Sequence, residues 1–110
     1  MIVAIPVDEE IKSAYLFEKF GRAPVFAILK TDKGFTKFIP NKSSTSSGGA
    51  GVATSQLLIG EGVNTLIANA VGPKALQILK KANIEIYKGI KGKFEDNFLK
   101  YLEGNLEKYK

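Results

Sequence analysis

The sequence predicts an α/β fold built on a mixed five-stranded sheet with about three helices, and three observations predict it. A continuous β-branched and apolar run, Ile2 to Val7, has the pattern of a strand buried on both faces in the centre of a sheet. Strand-like and helix-like segments alternate through the second half of the chain, which implies parallel strands joined by crossovers. Between them, two short strand-like runs joined by a turn supply an antiparallel pair, so the sheet is mixed.

Each element follows from local chemistry. Val25 to Lys30 and Phe35 to Pro40 flank "TDKG", whose Asp32 and Gly34 are turn residues, so these runs form a hairpin that Pro40 closes. The segment Ala50 to about Glu61 reads as a helix with Ala53, Leu57 and Gly60 on its apolar side, Val52 and Ile59 beside them, and Gly62 as its stop. "NTLIANA" reads as a buried strand. In "GPKALQILKKAN", Pro73 suits a first helical position, and Ala75, Ile78, Leu79 and Ala82 repeat at helical spacing, giving the clearest amphipathic helix in the chain. Ile84 to Tyr87 supplies the last strand, and Phe94, Phe98, Leu102 and Leu106 a final helical stripe. The small polar run Ser43 to Ser47 is expected to be a mobile loop.

At 110 residues the chain is expected to form one domain, residues 1–110, large enough to bury a core without disulfides. No apolar run approaches the roughly 20 residues that span a bilayer. "MIVAIPVDEE" reads as a first strand and not a signal peptide, so the expected address is cytoplasmic. There is no cysteine and no histidine, which removes thiolate nucleophiles, imidazole bases and zinc fingers together. The net charge of +5 is spread among interleaved acids, an arrangement that argues against nucleic acid as a partner. All but one of the 16 basic residues are lysine, leaving Arg22 as the lone guanidinium for fork-like anion recognition.

With the first strand central, the loops Asp8 to Pro24, Asn41 to Gly49 and Asn69 to Gly72 gather at one sheet edge, where open α/β sheets bind ligands. "GGAG", Gly48 to Gly51, enters a helix whose free N–H groups and dipole favour an anion, and glycine lets an anion approach the backbone; the same glycines equally suit a tight connector. It is not a P-loop, and Thr54 stands where a dinucleotide pattern needs a third glycine. "NAVGP" offers Asn69 and Gly72 at a second strand-to-helix turn, either as a ligand contact or as a helix cap. In "FEKFGRAP", Phe20, Gly21 and Arg22 form a third block, in which Arg22 either clamps an anion or pins the loop to Asp8 or Glu18. The serines and threonines near Ser47 lack a histidine base, and no catalytic residue is assigned.

"IPVDE", "FGRAP" followed by "FAIL", "GGAG" followed by "QLLIGEGVNTLIA", and "VGPKALQIL", in this order across about Met1 to Tyr87, resemble the dinitrogenase iron-molybdenum cofactor biosynthesis family. That family includes NifX, NafY and the carboxyl-terminal domain of NifB. The resemblance implies a ribonuclease-H-like three-layer fold and a non-catalytic protein that binds or carries iron-sulfur and iron-molybdenum cofactor species. Many members have histidine just before the "FGRA" and "GGAG" blocks, where this chain has Lys19 and Ser47. The soft ligands of an iron-sulfur species are thus missing, and no metal ligand is assigned.

The expected function is non-enzymatic binding or carriage of an anionic small molecule or metal cofactor. The expected site is Phe20, Gly21, Arg22, Ser47, Gly48, Gly49, Gly51, Asn69 and Gly72. The alternative is a module with a vestigial cleft that binds a protein partner. A ribonuclease-H-like nuclease is disfavoured because the strand carboxylates that hold two metal ions are missing.

Overall fold

The computed structural model describes residues 1–109. Strands β1 (Ile2–Val7), β2 (Val25–Lys30), β3 (Gly34–Pro40), β4 (Thr65–Ala68) and β5 (Glu85–Lys88) form one sheet in the order β3-β2-β1-β4-β5. β1 pairs antiparallel with β2 and parallel with β4, while β2–β3 is antiparallel and β4–β5 parallel. The mixed five-stranded sheet that the sequence predicts is therefore the one that forms. No described helix is long and apolar enough to cross a membrane.

The period-two geometry of strands sorts the apolar residues into two cores. Ala4, Phe26, Ile28, Leu66 and Ala68 face helices α1 (Ala50–Gly60) and α2 (Pro73–Lys81), whose Leu58, Ala75 and Leu79 pack on them. Val3, Ile5, Val7, Val25, Ala27, Leu29 and Ile67 face α3 (Phe94–Leu102) through Phe94 and Phe98. The molecule thus has three layers, with β1 buried on both faces at their centre. A bulge between Ile28 and Leu29 returns Phe35 to the face of Phe38, and both rings lie 5.9 Å from Phe94.

Two helices differ from their sequence patterns. The buried residues of α1 are Ala50, Thr54, Ser55 and Leu58, whereas Ala53, Ile59 and Gly60 are exposed. This face is turned inward because α1 lies close to α2 and to a 3-10 turn at Phe20–Arg22, where small side chains fit and hydroxyls find carbonyls. Thr54 Oγ1 donates to Gly21 O at 3.3 Å and accepts from Asn41 Nδ2 at 3.0 Å; Ser55 Oγ donates to Gly51 O at 2.8 Å. A small polar inner face leaves little apolar periodicity to read.

The third helix stops at Leu102, short of the stripe's last member, and Gly104, with φ +77°, turns the chain back. The returning segment lies along β5: Lys88 N–H donates to Glu107 O at 2.8 Å, and Tyr109 N–H to Ile86 O at 2.9 Å. Leu106 still packs on the α3-side core, from this segment and not from the helix. The β5 edge, which would otherwise present unpaired backbone groups, is covered.

Candidate functional site

The amino ends of α1 and α2 meet at a cleft of about 400 Å³ lined by residues 49–52 and 72–75. Neither helix has a side-chain N-cap bond, and neither carries an acid in its first turn. At α3, by contrast, Glu95 and Asp96 occupy the first turn. The first intrahelical bonds run from Ala53 N–H to Gly49 O at 3.0 Å and from Leu76 N–H to Gly72 O at 2.9 Å, so the amides before them are left for another acceptor. Lys74 lies in the same cleft. Two positive helix ends therefore share one hollow, which Lys74 also lines and whose lining holds no carboxylate. A hollow of about 450 Å³ between Lys80, Asn83 and Lys108 lies at the other, negative end of α2 and holds Glu85.

Of the residues singled out from sequence, Gly49, Gly51 and Gly72 line this cleft. Gly49 is the N-cap of α1 at φ +70°, a conformation that glycine adopts without strain. Gly21 is needed for a close approach instead: a Cβ there would stand 3.0 Å from Gly51 N and Cα. Phe20 is fully buried, edge to face with Phe26 at 5.8 Å between ring centroids. Asn69 Nδ2 donates to Gly89 O at 2.9 Å and ties the end of β4 to the loop after β5. Ser47 and Gly48 are exposed on the segment leading into α1, and Lys19 is exposed beside Phe20.

Arg22 does not pair with Asp8 or Glu18; its Nη1 donates to the carbonyls of Ser44 (3.2 Å) and Ser46. The serine-rich segment is correspondingly shaped, with a 3-10 turn at Lys42–Thr45 and Asn41 Oδ1 accepting from Ser43 N–H at 3.3 Å. Arg22→Ala is expected to free this segment, at about 1 kcal/mol of stability because the guanidinium is exposed. Hydrogen exchange at the Ser46 amide, which donates to Ser43 O at 3.1 Å, is the readout. Unchanged exchange there would mean that the arginine does not hold the loop.

Sequence reasoning missed three residues that build this region. Asn41 is buried, and its Nδ2 donates to Ala23 O at 2.9 Å as well as to Thr54, joining the end of β3 to the 3-10 turn and α1. Lys74 was legible as a lysine in the first turn of the amphipathic helix and as a candidate base for which nothing argued, but not as a residue of the cleft. Tyr109, whose hydroxyl reaches Val71, gave no local signal at all.

The donor set bears on the cofactor that the resemblance implies. A protein-held iron-sulfur cluster is ligated by thiolates and in some cases imidazoles, and this chain has neither. Among the described residues no three acids gather where they could hold a metal ion. Contrary to the expectation that the strands lack carboxylates, Glu85 lies inside β5, but it stands alone and exposed at the sheet edge, 3.4 Å from Lys108 Nζ. These residues do not fit side-chain coordination of an iron cluster.

Comparison with known proteins agrees with the architecture. The orange protein of Desulfovibrio gigas, solved in its apo form, superposes with a TM-score of 0.91 at 25% identity, covering 98% of this chain and 92% of that one. A Thermotoga protein designated NifB, solved by NMR, gives a TM-score of 0.84 at 31% identity over 97% of this chain and 91% of its own. An uncharacterized protein of Methanocaldococcus jannaschii is 31% identical over 99% of this chain and 92% of its own length. The model of the dinitrogenase iron-molybdenum cofactor family matches residues 1–104, which takes in the whole sheet, all three helices and both sides of the cleft, and the chain belongs to that family.

Proposed function

We propose that this protein is a non-enzymatic binding or carrier protein that takes an anionic small molecule or an anionic cofactor species at the cleft between α1 and α2. The observation that carries this reading is the meeting of two uncapped, acid-free helix amino ends with Lys74 in one hollow. The glycines add support. Gly72 has φ −66° and ψ 161°, which any residue adopts, and nothing lies within 4 Å of where its Cβ would be. Packing and backbone geometry thus give no reason for a glycine there, whereas close approach of a ligand to the backbone does. The family and the orange protein's likeness favour a cofactor-related cargo.

The test is calorimetric titration with molybdate and phosphate, alongside Gly72→Ala. The variant should keep its stability within about 0.5 kcal/mol, since it is unstrained and unobstructed. Its oxyanion affinity should fall about three- to tenfold through the methyl group in the cleft. Absence of any saturable response in the native protein would overturn the reading. It would favour a protein-partner module instead, for which the exposed Leu99 and Leu102 on α3 are the supporting observation.

A further inference from the structure

The turn that delivers α2 to the cleft is held in an unfavourable conformation by a residue far away in sequence. Ala70 has φ +49°, a left-handed conformation that is unfavourable for a non-glycine residue, and it lacks the side-chain amide or carboxylate with which asparagine or aspartate offsets that cost. Such a conformation persists only where its surroundings over-determine it. On one side of Ala70 stands the Asn69 bond to Gly89 O. On the other, Val71 N–H donates to Tyr109 Oη at 2.9 Å, and Tyr109 Oη donates to Val71 O at 3.3 Å, so one hydroxyl satisfies both backbone groups of a single residue. Tyr109 is itself fixed, by its own N–H to Ile86 O at 2.9 Å and by packing against the α1/α2-side core. The next residue, Gly72, is the N-cap of α2.

We propose that Tyr109 is a positioning residue for the cleft: its hydroxyl fixes the turn at Ala70 and Val71 and so aims the amino end of α2, with Lys74, at the bound anion. The segment that covers the β5 edge thereby also shapes the ligand site from outside its lining. This inference rests on the anion-binding reading, and its test separates the two. Tyr109→Phe keeps the ring in the core and removes only the bonds to Val71. Hydrogen exchange at the Val71 amide should rise at least tenfold, while exchange at Leu66 and Leu79 in the same core stays as in the native protein. Molybdate affinity should fall about three- to tenfold, the value of one hydrogen bond's worth of positioning. Because the affinity is measured on fully folded protein, a purely structural brace would lower the thermal midpoint and leave it unchanged, and that result overturns the proposal. If the native protein binds no molybdate, the reading of the cleft has failed on its own; the positioning role is then overturned by unchanged Val71 exchange in the variant.

Discussion

Phe20→Ala is expected to lower the folding stability by about 3–5 kcal/mol, the cost of emptying a fully buried aromatic site. Phe20 has no exposure, meets Phe26 edge to face, and belongs to the core that α1 and α2 cover. It also starts the 3-10 turn whose Gly21 touches Gly51, so the ring anchors the turn against the amino end of α1. A loss of that size is a large fraction of the roughly 5–15 kcal/mol that holds a domain of this length together. Urea unfolding followed by circular dichroism measures it, with the midpoint falling at constant slope. A loss below about 1 kcal/mol would mean that the pocket collapses around the missing ring and that Phe20 is not the anchor of the turn.

Lys74→Glu is expected to weaken molybdate binding about a hundredfold at low salt. The substitution exchanges an attractive charge for a repulsive one in a hollow whose lining contains no acid. Unit charges about 4 Å apart near a protein surface interact by up to about 4 kcal/mol before screening, so a reversal outweighs the loss of any single neutral hydrogen bond there. The effect should shrink as ionic strength rises. Lys80→Glu makes the same change in net charge in the last turn of α2 and serves as the control. Equal losses in the two variants would mean that overall charge, and not the cleft, attracts the anion.

Much of the fold was legible because it depends on neighbours along the chain. The β-branched run of β1, the Asp32 and Gly34 turn between β2 and β3, and the helical spacing of Ala75, Ile78 and Leu79 in α2 are all local patterns. The candidate site was legible only in part. The two helix entries could be seen to share a sheet edge, yet the glycines around them could not be told apart: Gly49 answers to a backbone angle, Gly21 to a contact with Gly51, and Gly72 to neither. The role of Arg22 was equally open, because its acceptors are carbonyls, which every residue has, and not the nearby carboxylates that a sequence displays.

The sequence by itself determined the class of sheet, the number and order of its elements, and the absence of thiolate and imidazole ligands, since side-chain chemistry and periodicity are written residue by residue. Tertiary structure alone decided that α1 turns Thr54 and Ser55 inward, that Asn41 joins β3 to α1, that the chain after α3 returns along β5, and that Tyr109 reaches Val71. Each of these is a contact between residues remote in the chain. Its energy comes from satisfying a particular buried carbonyl or amide, and which of these groups is left without a partner is known only once the layers have packed.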